Sequence, residues 1–147
     1  MAKPGAGCVF CQIVAGAVPA AVVFEDEISL GFFDQRPLFP GHTLLIPKEH
    51  YETLADLPHA LLEPLFANGQ LLARSVERAL EAEGTFVAIN NRVSQTVPHL
   101  HVHIVPRRKG DGLRGFFWPR QKYKDALEIE KFRKSIQETV ERLRSGG

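Results

Sequence analysis

Hydrophobic and polar positions in the first third of the chain predict three short strands. Val22–Glu25 and Ser29–Phe33 are rich in strand-forming side chains, and an acidic pair between them predicts a turn. A loop rich in proline and glycine follows at residues 36–41. Residues 42–47 then predict a third strand, so this part of the chain is expected to contribute to a β-sheet.

A helical repeat of apolar residues occupies the middle of the chain. Residues 56–58 predict its start, because the proline at their end is tolerated in the first turn of a helix. Pro64 is expected to kink this helix or to delay its start, and Gly84 is its predicted stop. The apolar positions at helical spacing are Leu61, Leu62, Leu65, Phe66, Leu72, Val76 and Leu80.

Two further strands and a second helix complete the pattern. Residues 85–90 and 99–106 predict strands, and the last helix is expected to begin near Asp125. That helix carries an apolar stripe, expected to face the core or a partner, formed by Ile129, Phe132, Ile136, Val140 and Leu143. The sum is an α+β domain with an antiparallel sheet of about five strands.

The composition is typical of one globular domain. The 147 residues are enough to bury a sizeable core, and a hydrophobic content of 44% is ordinary. No segment approaches the ~20 consecutive apolar residues that a membrane helix needs. The N-terminal residues lead into no hydrophobic signal region. We therefore expect a cytoplasmic protein that does not engage a membrane.

The net charge of +1 hides a basic strip. Residues 107–124 contain seven basic side chains, and Asp111 is the only acid among them. This strip suits an anionic ligand such as phosphate, and a solvated loop with scattered lysines and arginines is the alternative. The near-neutral total charge and the lack of interleaved aromatic and basic residues argue against a nucleic-acid binder.

Three histidines alternate along one predicted strand. His99, His101 and His103 share one face of that strand, while the apolar residues between them face the core. Packing alone rarely explains three imidazoles on one face. A single metal held by all three is disfavoured, because His99 and His103 are separated by ~13 Å at ~3.3 Å per residue, whereas metal–nitrogen bonds measure ~2.0–2.1 Å.

Nucleophilic catalysis explains the alternating histidines better. A neutral imidazole is a good nucleophile at phosphorus near neutral pH. His101 has a histidine on each side. One neighbour can therefore orient it, and the other can bind phosphate oxygens or a leaving group.

The two cysteines of the chain, Cys8 and Cys11, form a Cys-x-x-Cys motif. In a reducing compartment this spacing indicates metal or redox chemistry more than a structural disulfide. A reduced dithiol that binds no metal is the alternative.

Several separate segments together resemble the histidine triad (HIT) family. The resemblance is to its zinc-containing bacterial members, near the histidine triad nucleotide-binding and fragile histidine triad branches. The alternating histidines followed by Pro106 and Arg107 match the family signature, and the match covers residues 8–107. The other matching segments are Cys8 to Cys11, Phe32 to Asp34, Pro40 to His50, Asn90, and Gln95 to Val97.

The resemblance implies a role for each matching residue. His101 would be the nucleophile and would form a nucleotidyl-histidine intermediate that water then hydrolyses. His103 and His42 would contact the α-phosphate or the leaving group, and Asp34 would bind the ribose hydroxyls. The phosphate site would be lined by Asn90, Gln95 and Thr96. Candidates for the base pocket, with plain core packing as an equal alternative, are Phe10, Ile13, Phe32 and Leu45.

The resemblance also implies a structural zinc site. Its tetrahedral Cys2His2 ligand set would consist of Cys8, Cys11, His50 and His99. Four protein ligands leave no open position on the metal, so the zinc would pin the N-terminal segment to the triad strand. His99 would then serve the metal and take no part in catalysis. No organic cofactor is expected.

Two positions depart from the family pattern. Residues 91–94 lack the glycines that are common before the triad, so Arg92 would either add a phosphate contact or face solvent. The third triad position is His103 rather than glutamine, which argues against the uridylyl-transferring branch.

Residues 108–147 lie outside the family core, although we treat residues 1–147 as a single domain. Phe116, Phe117 and Trp118 in this tail would form a lid or an interface, or would pack under the last helix. Family members commonly dimerise through the helix before the triad strand. We therefore expect a homodimer.

Three functions remain open at this point. The leading one is a hydrolase of a purine nucleoside 5′-phosphoramidate or of a related adenylyl conjugate. A dinucleoside polyphosphate hydrolase would use the same nucleophile, and the basic strip would favour its longer ligand. A nucleotide-binding regulatory module would bind AMP with little turnover, and equally well without His101.

Overall fold

The computed structural model describes residues 7–113 and 120–146. A first compact unit ends at Asp111 and a second begins at Gly112. The first contains, in chain order, α1 (Val9–Val14), β1 (Val22–Glu25), β2 (Ser29–Phe33), β3 (Thr43–Pro47), a 3-10 helix (Leu54–Asp56), α2 (His59–Ala79), β4 (Gly84–Ala88) and β5 (Val102–Arg107). The second contains α3 (Ala126–Gly146).

The five strands form one antiparallel sheet in the order β1-β2-β3-β5-β4. The predicted α+β class and the predicted five-stranded sheet are confirmed. β5 begins at Val102, so His99 and His101 lie in the segment that leads into the strand, and His103 lies within it. His103 pairs with Leu44 of β3, at the centre of the sheet.

Helix α2 supplies the apolar cover for one face of the sheet. It begins at His59, directly after Pro58 at its N-cap. Pro64 lies inside the helix, so it does not delay the start. The buried side chains of Leu65 and Leu72 belong to the same core cluster as Leu45 of β3 and several residues of β5.

The predicted stop of α2 at Gly84 is wrong, because Gly84 is the first residue of β4. The helix ends earlier, where Glu81 adopts the left-handed conformation with φ of 51°. The N–H of Ala82 donates to the carbonyl of Glu77 at 2.9 Å, and the N–H of Glu81 donates to that of Arg78 at 3.4 Å. This is the Schellman pattern of a helix C-terminus, with glutamate where glycine is usual.

A second apolar cluster lies on the other face of the sheet. Leu44 and Ile46 of β3 and Phe32 of β2 pack there with Phe10 of α1. Because side chains alternate along β3, Leu45 points away from this cluster and into the core beneath α2. The face that carries Phe10 is also the face of the triad histidines, as the ring contacts below show.

Helix α3 is described by itself, as the main element of the second unit. All five residues of its predicted apolar stripe are exposed. Phe116, Phe117 and Trp118, predicted to form a lid or interface, lie outside the described residues. Among the helices that the structure describes, none is both long and apolar enough to cross a membrane.

Candidate active site and metal centre

Cys8, Cys11, His50 and His99 bring their ligand atoms to within 4.8 Å of one another. Cys8 is the N-cap of α1, and its Sγ accepts the backbone N–H of Cys11 at 3.4 Å. The first turn of α1 therefore holds the two sulfurs of the Cys-x-x-Cys motif together. His50 follows β3 and His99 precedes β5, so two neighbouring strands supply the nitrogens.

The spacing of these atoms fits a tetrahedral metal. Nδ1 of His99 lies 3.4 Å from Cys8 Sγ, 3.6 Å from Cys11 Sγ and 3.2 Å from His50 Nδ1. Zinc bonds of ~2.0–2.1 Å to nitrogen and ~2.3 Å to sulfur place tetrahedral ligand atoms roughly 3.3–3.8 Å apart. The four residues could therefore hold a metal ion.

The hydrogen bonding of His99 leaves the nitrogen that faces this cluster unprotonated. Its Nε2–H donates to the carbonyl oxygen of Pro47 at 2.8 Å, since a carbonyl can only accept. The neutral ring then carries a lone pair on Nδ1, toward the sulfurs. Burial lowers the pKa of His99 to about 4, so the ring stays neutral at physiological pH. Metal-binding histidines usually have such a carbonyl partner on their other nitrogen.

His101 presents a lone pair on the opposite ring nitrogen. Its Nδ1–H donates to the backbone carbonyl of His99 at 2.7 Å. In the neutral tautomer that this bond selects, the lone pair lies on Nε2. The side chain is buried, with 4% of its surface exposed. The structure thus fixes the His101 ring in the orientation and the tautomer that attack on phosphorus requires.

The ring of Phe10 lies between the candidate metal cluster and His101. It meets His99 edge to face with centroids 5.8 Å apart, and meets His101 with centroids 5.2 Å apart. On its other side it contacts Phe32 at 5.4 Å. The orientation of α1, which carries Phe10 between the two cysteines, therefore bears directly on the position of His101.

A second histidine pair lies beside His101. Nε2 of His42 is 3.0 Å from Nδ1 of His103, and it is 3.8 Å from a carboxylate oxygen of Asp34. The backbone N–H of Leu38 donates to Nδ1 of His42 at 3.1 Å. The ring centroids of His101 and His103 are 4.9 Å apart. The structure therefore places the predicted residues Asp34, His42, His101 and His103 in one group.

Both histidines of this pair are held neutral. Burial, followed by the neighbouring His101 and His42, lowers the pKa of His103 to about 4. Burial also lowers the pKa of His42, against the opposing charge of Asp34. Among the described residues, Nε2 of His103 is buried without a hydrogen-bond partner. That nitrogen is the polar atom of the site that a ligand would satisfy.

The turn before His42 requires glycine. Gly41 has φ of 97°, a conformation that L side chains rarely adopt. A Cβ at this position would also overlap Cδ1 of Leu80. The proline–glycine–histidine segment therefore places the His42 ring through a backbone geometry that other residues would strain.

The side-chain amide of Gln95 holds the loop before the triad in place. The side chain of Gln95 accepts the N–H of Arg92 at 2.7 Å and donates to the carbonyl of Glu52 at 2.6 Å. Arg92 and Ser94 have φ of 69° and 60°, so the loop adopts left-handed turns without the usual glycines. Gln95, predicted to line the phosphate site, thus shapes this loop. Arg92 is exposed. Hydrogen bonds from Thr53 lower the pKa of the Asp56 carboxyl, and the charge of Arg92 adds to this effect.

The predicted base-pocket residues divide between the two faces of the sheet. Phe10, Ile13 and Phe32 belong to the cluster on the triad side. Leu45 is fully buried in the core beneath α2, so its assignment to the pocket is wrong. The alternation along β3 could have identified Leu44, which pairs with His103, as the residue on the site's face. Among the predicted phosphate-loop residues, Asn90 is half-buried and Thr96 is exposed.

Part of the basic strip is engaged within the fold. The guanidinium of Arg107 bonds both carboxylate oxygens of Asp111, at 2.6 and 2.9 Å. Arg108 donates to the carbonyl of Leu80 at the C-terminus of α2. Arg114 lies outside the described residues. The strip therefore offers fewer free cations than its sequence indicates.

Comparison with known proteins yields consistent matches. The family model for the HIT domain matches residues 15–110. An uncharacterized HIT-like protein of Mycobacterium tuberculosis is 44% identical over 108 residues, covering 72% of this chain and 75% of that protein. The adenosine 5′-monophosphoramidase hnt1 of Schizosaccharomyces pombe is 38% identical over 114 residues, covering 76% and 83%. The adenylylsulfatase HINT3 of Arabidopsis thaliana is 34% identical over 108 residues, covering 72% and 55%.

Solved structures agree with the fold. A crystal structure from Streptococcus mutans aligns with a TM-score of 0.83 and 36% identity, over 92% of this chain and 86% of that one. A zinc-bound histidine triad family protein from Mycobacterium smegmatis aligns with a TM-score of 0.69 and 39% identity, over 92% and 97%.

Proposed function

Because the chain belongs to the histidine triad (HIT) family, we propose that it is a nucleotide hydrolase that cleaves at the α-phosphate through a covalent intermediate on His101. The substrate would be a purine nucleoside 5′-phosphoramidate or a related adenylyl conjugate. The names of two relatives, an adenosine 5′-monophosphoramidase and an adenylylsulfatase, support that substrate class.

The observation that carries the proposal is the fixed tautomer of His101. Its Nδ1–H is bound to the carbonyl of His99, so Nε2 presents a lone pair. That lone pair attacks the α-phosphorus, and the bond from phosphorus to the leaving nitrogen or oxygen breaks. The leaving group takes up one proton from solvent.

Water completes the cycle. It adds to phosphorus as the phosphorus–nitrogen bond to His101 breaks, and it returns one proton to solvent. The products are the nucleoside monophosphate and the restored neutral imidazole. Both steps take place at the same phosphorus in the same site. One set of hydrogen-bond donors can therefore stabilise both transition states.

The neighbouring residues divide the binding roles. His103 lies beside His101 and has a buried, unpartnered Nε2 among the described residues, which suits a phosphoryl oxygen. Asp34 is partly exposed, and its carboxylate suits the ribose hydroxyls. Asn90 and Thr96 remain candidates for the phosphate site. Phe10, Ile13 and Phe32 remain candidates for the base pocket, with core packing as the alternative role.

The metal centre would hold structural zinc through Cys8, Cys11, His50 and His99. The likeness to a zinc-bound family member supports this choice of metal. Four protein ligands leave zinc no open position, so the chemistry that it supplies is cross-linking of the fold. The chain's own residues carry out the reaction, while the metal fixes α1 to the segment before β5.

AMP release tests the proposal directly. The wild type, His101→Ala and His59→Ala would be compared on adenosine 5′-phosphoramidate and on diadenosine polyphosphates. His59 is an exposed histidine at the start of α2 and serves as the matched control. We expect the wild type and His59→Ala to turn over the phosphoramidate. In His101→Ala, the rate of AMP release should fall by at least about 10³-fold.

Binding of AMP separates the alternatives. His101→Ala should bind AMP about as well as the wild type, because the nucleophile acts mainly in the transition state. Preference for the dinucleotides would assign the chain to polyphosphate hydrolysis, for which the engaged Arg107 and Arg108 offer little support. Binding of AMP without turnover of either substrate would identify a regulatory module and refute the hydrolase.

A further inference from the structure

We propose that the backbone amide of Leu38 acts through His42 to fix the tautomer of His103, so that His103 offers Nε2–H to a phosphoryl oxygen. The identity of the acceptor rests on the proposed function, whereas the tautomer itself does not. Leu38 and His42 are therefore positioning residues, and His103 is the group that touches the ligand.

The first link is the contact between Leu38 and His42. The N–H of Leu38 lies 3.1 Å from Nδ1 of His42, and a backbone amide can only donate. Nδ1 of His42 is therefore an acceptor and carries no proton. The neutral ring must then carry its proton on Nε2.

The second link is the contact between the two histidines. Nε2 of His42 and Nδ1 of His103 are 3.0 Å apart. Since the proton lies on His42, Nδ1 of His103 accepts it, and the neutral His103 ring carries its own proton on Nε2. The nearest carboxylate oxygen, on Asp34, is 3.8 Å from His42 Nε2, which is too far for a hydrogen bond.

The third link is Nε2 of His103, the last donor in this series of hydrogen bonds. Nε2 of His103 is buried and has no hydrogen-bond partner within residues 7–113 and 120–146. An unsatisfied buried donor is costly, and a bound oxygen would satisfy it. The ring stands next to His101, with centroids 4.9 Å apart, so the nearest ligand oxygens are those of the phosphate under attack.

The loop that carries Leu38 is fixed at both ends. The N–H of Asp34 donates to the carbonyl of His42 at 2.9 Å, and the N–H of His42 donates to that of Phe39 at 3.0 Å. The Leu38 side chain is 46% exposed, so this residue acts on His42 through its backbone N–H. The loop therefore aims one backbone donor at the His42 ring, which is itself only 3% exposed.

The same logic excludes a metal at Asp34, His42 and His103, although their ligand atoms lie close enough to hold one. A metal there would need lone pairs on Nε2 of His42 and on Nδ1 of His103. With Nδ1 accepting from Leu38, the His42 ring would then carry no proton at all. His99 differs, because its second nitrogen donates to a carbonyl and leaves Nδ1 free for a metal.

Nitrogen NMR of the histidine rings in the full-length, metal-loaded protein tests the inference. Long-range proton–nitrogen spectra distinguish the two neutral tautomers. The wild type should show His42 and His103 both protonated on Nε2 and not on Nδ1. Addition of AMP should shift the Nε2–H signal of His103 far more than that of His99. A His103 proton on Nδ1 in the wild type would overturn the proposal, whatever the enzyme's activity.

Substitutions at Leu38 provide the second readout. Leu38→Pro removes the donating N–H, whereas Leu38→Ala removes the side chain and keeps the N–H. We expect a mixed His103 tautomer in Leu38→Pro, with kcat about tenfold lower and KM within about twofold, and wild-type behaviour in Leu38→Ala. An unchanged His103 spectrum in a folded Leu38→Pro variant contradicts the proposal. If that variant does not fold, the wild-type spectra still decide.

Discussion

The backbone carbonyl of His99 accepts the Nδ1–H of His101 at 2.7 Å, while the His99 side chain lies in the Cys2His2 cluster. His99 therefore contributes its ring to the candidate metal cluster and its main chain to the orientation of His101. Pro47 of β3 holds the far side of the same ring. The position of the His101 ring consequently depends on the cluster that contains the His99 side chain.

Loss of the metal ligands should therefore lower both stability and activity. In Cys8→Ser with Cys11→Ser, we expect release of zinc, a melting temperature lower by about 10 °C or more, and reduced kcat for the folded fraction. The measurements are metal analysis, calorimetry and AMP release. The His59→Ala variant, on an exposed histidine outside the cluster, should keep its metal. Wild type purified without zinc and unaffected by added zinc would contradict the structural role.

Substitution of Gly41 should damage the site through the backbone. Gly41→Ala adds a Cβ that meets Leu80 and forces a side chain into a left-handed conformation. We expect a loss of about 2–4 kcal/mol in the free energy of unfolding, measured by urea titration. Gly84→Ala is the matched control, because a Cβ there meets nothing within 4 Å. Equal stability of the two variants would show that the turn before His42 relaxes without cost.

Acid should destabilise the fold through His103. Its pKa is about 4 in the folded state, mainly because of burial, against an ordinary value near 6.5. Below pH 6.5 the unfolded chain takes up a proton that the folded chain does not, so stability falls from about pH 6.5 down to about pH 4 and is unaffected above. Between pH 7 and pH 5 the free energy of unfolding should drop by about 1–2 kcal/mol more in the wild type than in His103→Asn. The two proteins differ only at this side chain, so identical slopes would argue against a neutral buried His103.

The C-terminus of α2 should become more stable with glycine. Glu81 occupies the left-handed position of the Schellman motif at φ of 51°. Glu81→Gly relieves that strain and should raise the free energy of unfolding by about 0.5–1 kcal/mol. Glu77→Gly, within the same helix, should lower it by about 1 kcal/mol. Thermal unfolding of both variants gives the comparison, and a destabilised Glu81→Gly would refute this account of the helix end.

The sequence predicted the strands well because strand formation here follows side-chain patterns. Val22–Glu25 and Ser29–Phe33 are strands with the predicted bounds, and the alternation around His101 correctly separated polar from apolar faces. The end of α2 was missed because Glu81 takes a conformation that glycine usually marks. Pro64 was expected to kink α2 or to delay its start, and the start at His59 contradicts only the delay.

The motif predicted the residues of the candidate site. It did not predict the hydrogen bonds that set the tautomers of the histidines. The motif named the metal cluster and the histidines, which the structure brings together. The amide of Leu38 and the carbonyls of Pro47 and His99 set the tautomers of the histidine rings. Every residue type has such main-chain groups, so a pattern of residue types does not reveal them. Helix α1 was also missed, because six residues are too few for a periodic signal. The homodimer remains a prediction.

Detection of the covalent intermediate on His101 tests the proposed mechanism most directly. Wild type mixed with adenosine 5′-phosphoramidate would be quenched within milliseconds in alkaline denaturant and analysed by intact-protein and peptide mass spectrometry. We expect one adenylyl group on the peptide that contains His101, present during turnover and absent in His101→Ala. Turnover at the wild-type rate in His101→Ala, or an adenylyl group carried by another residue, would contradict the proposed mechanism.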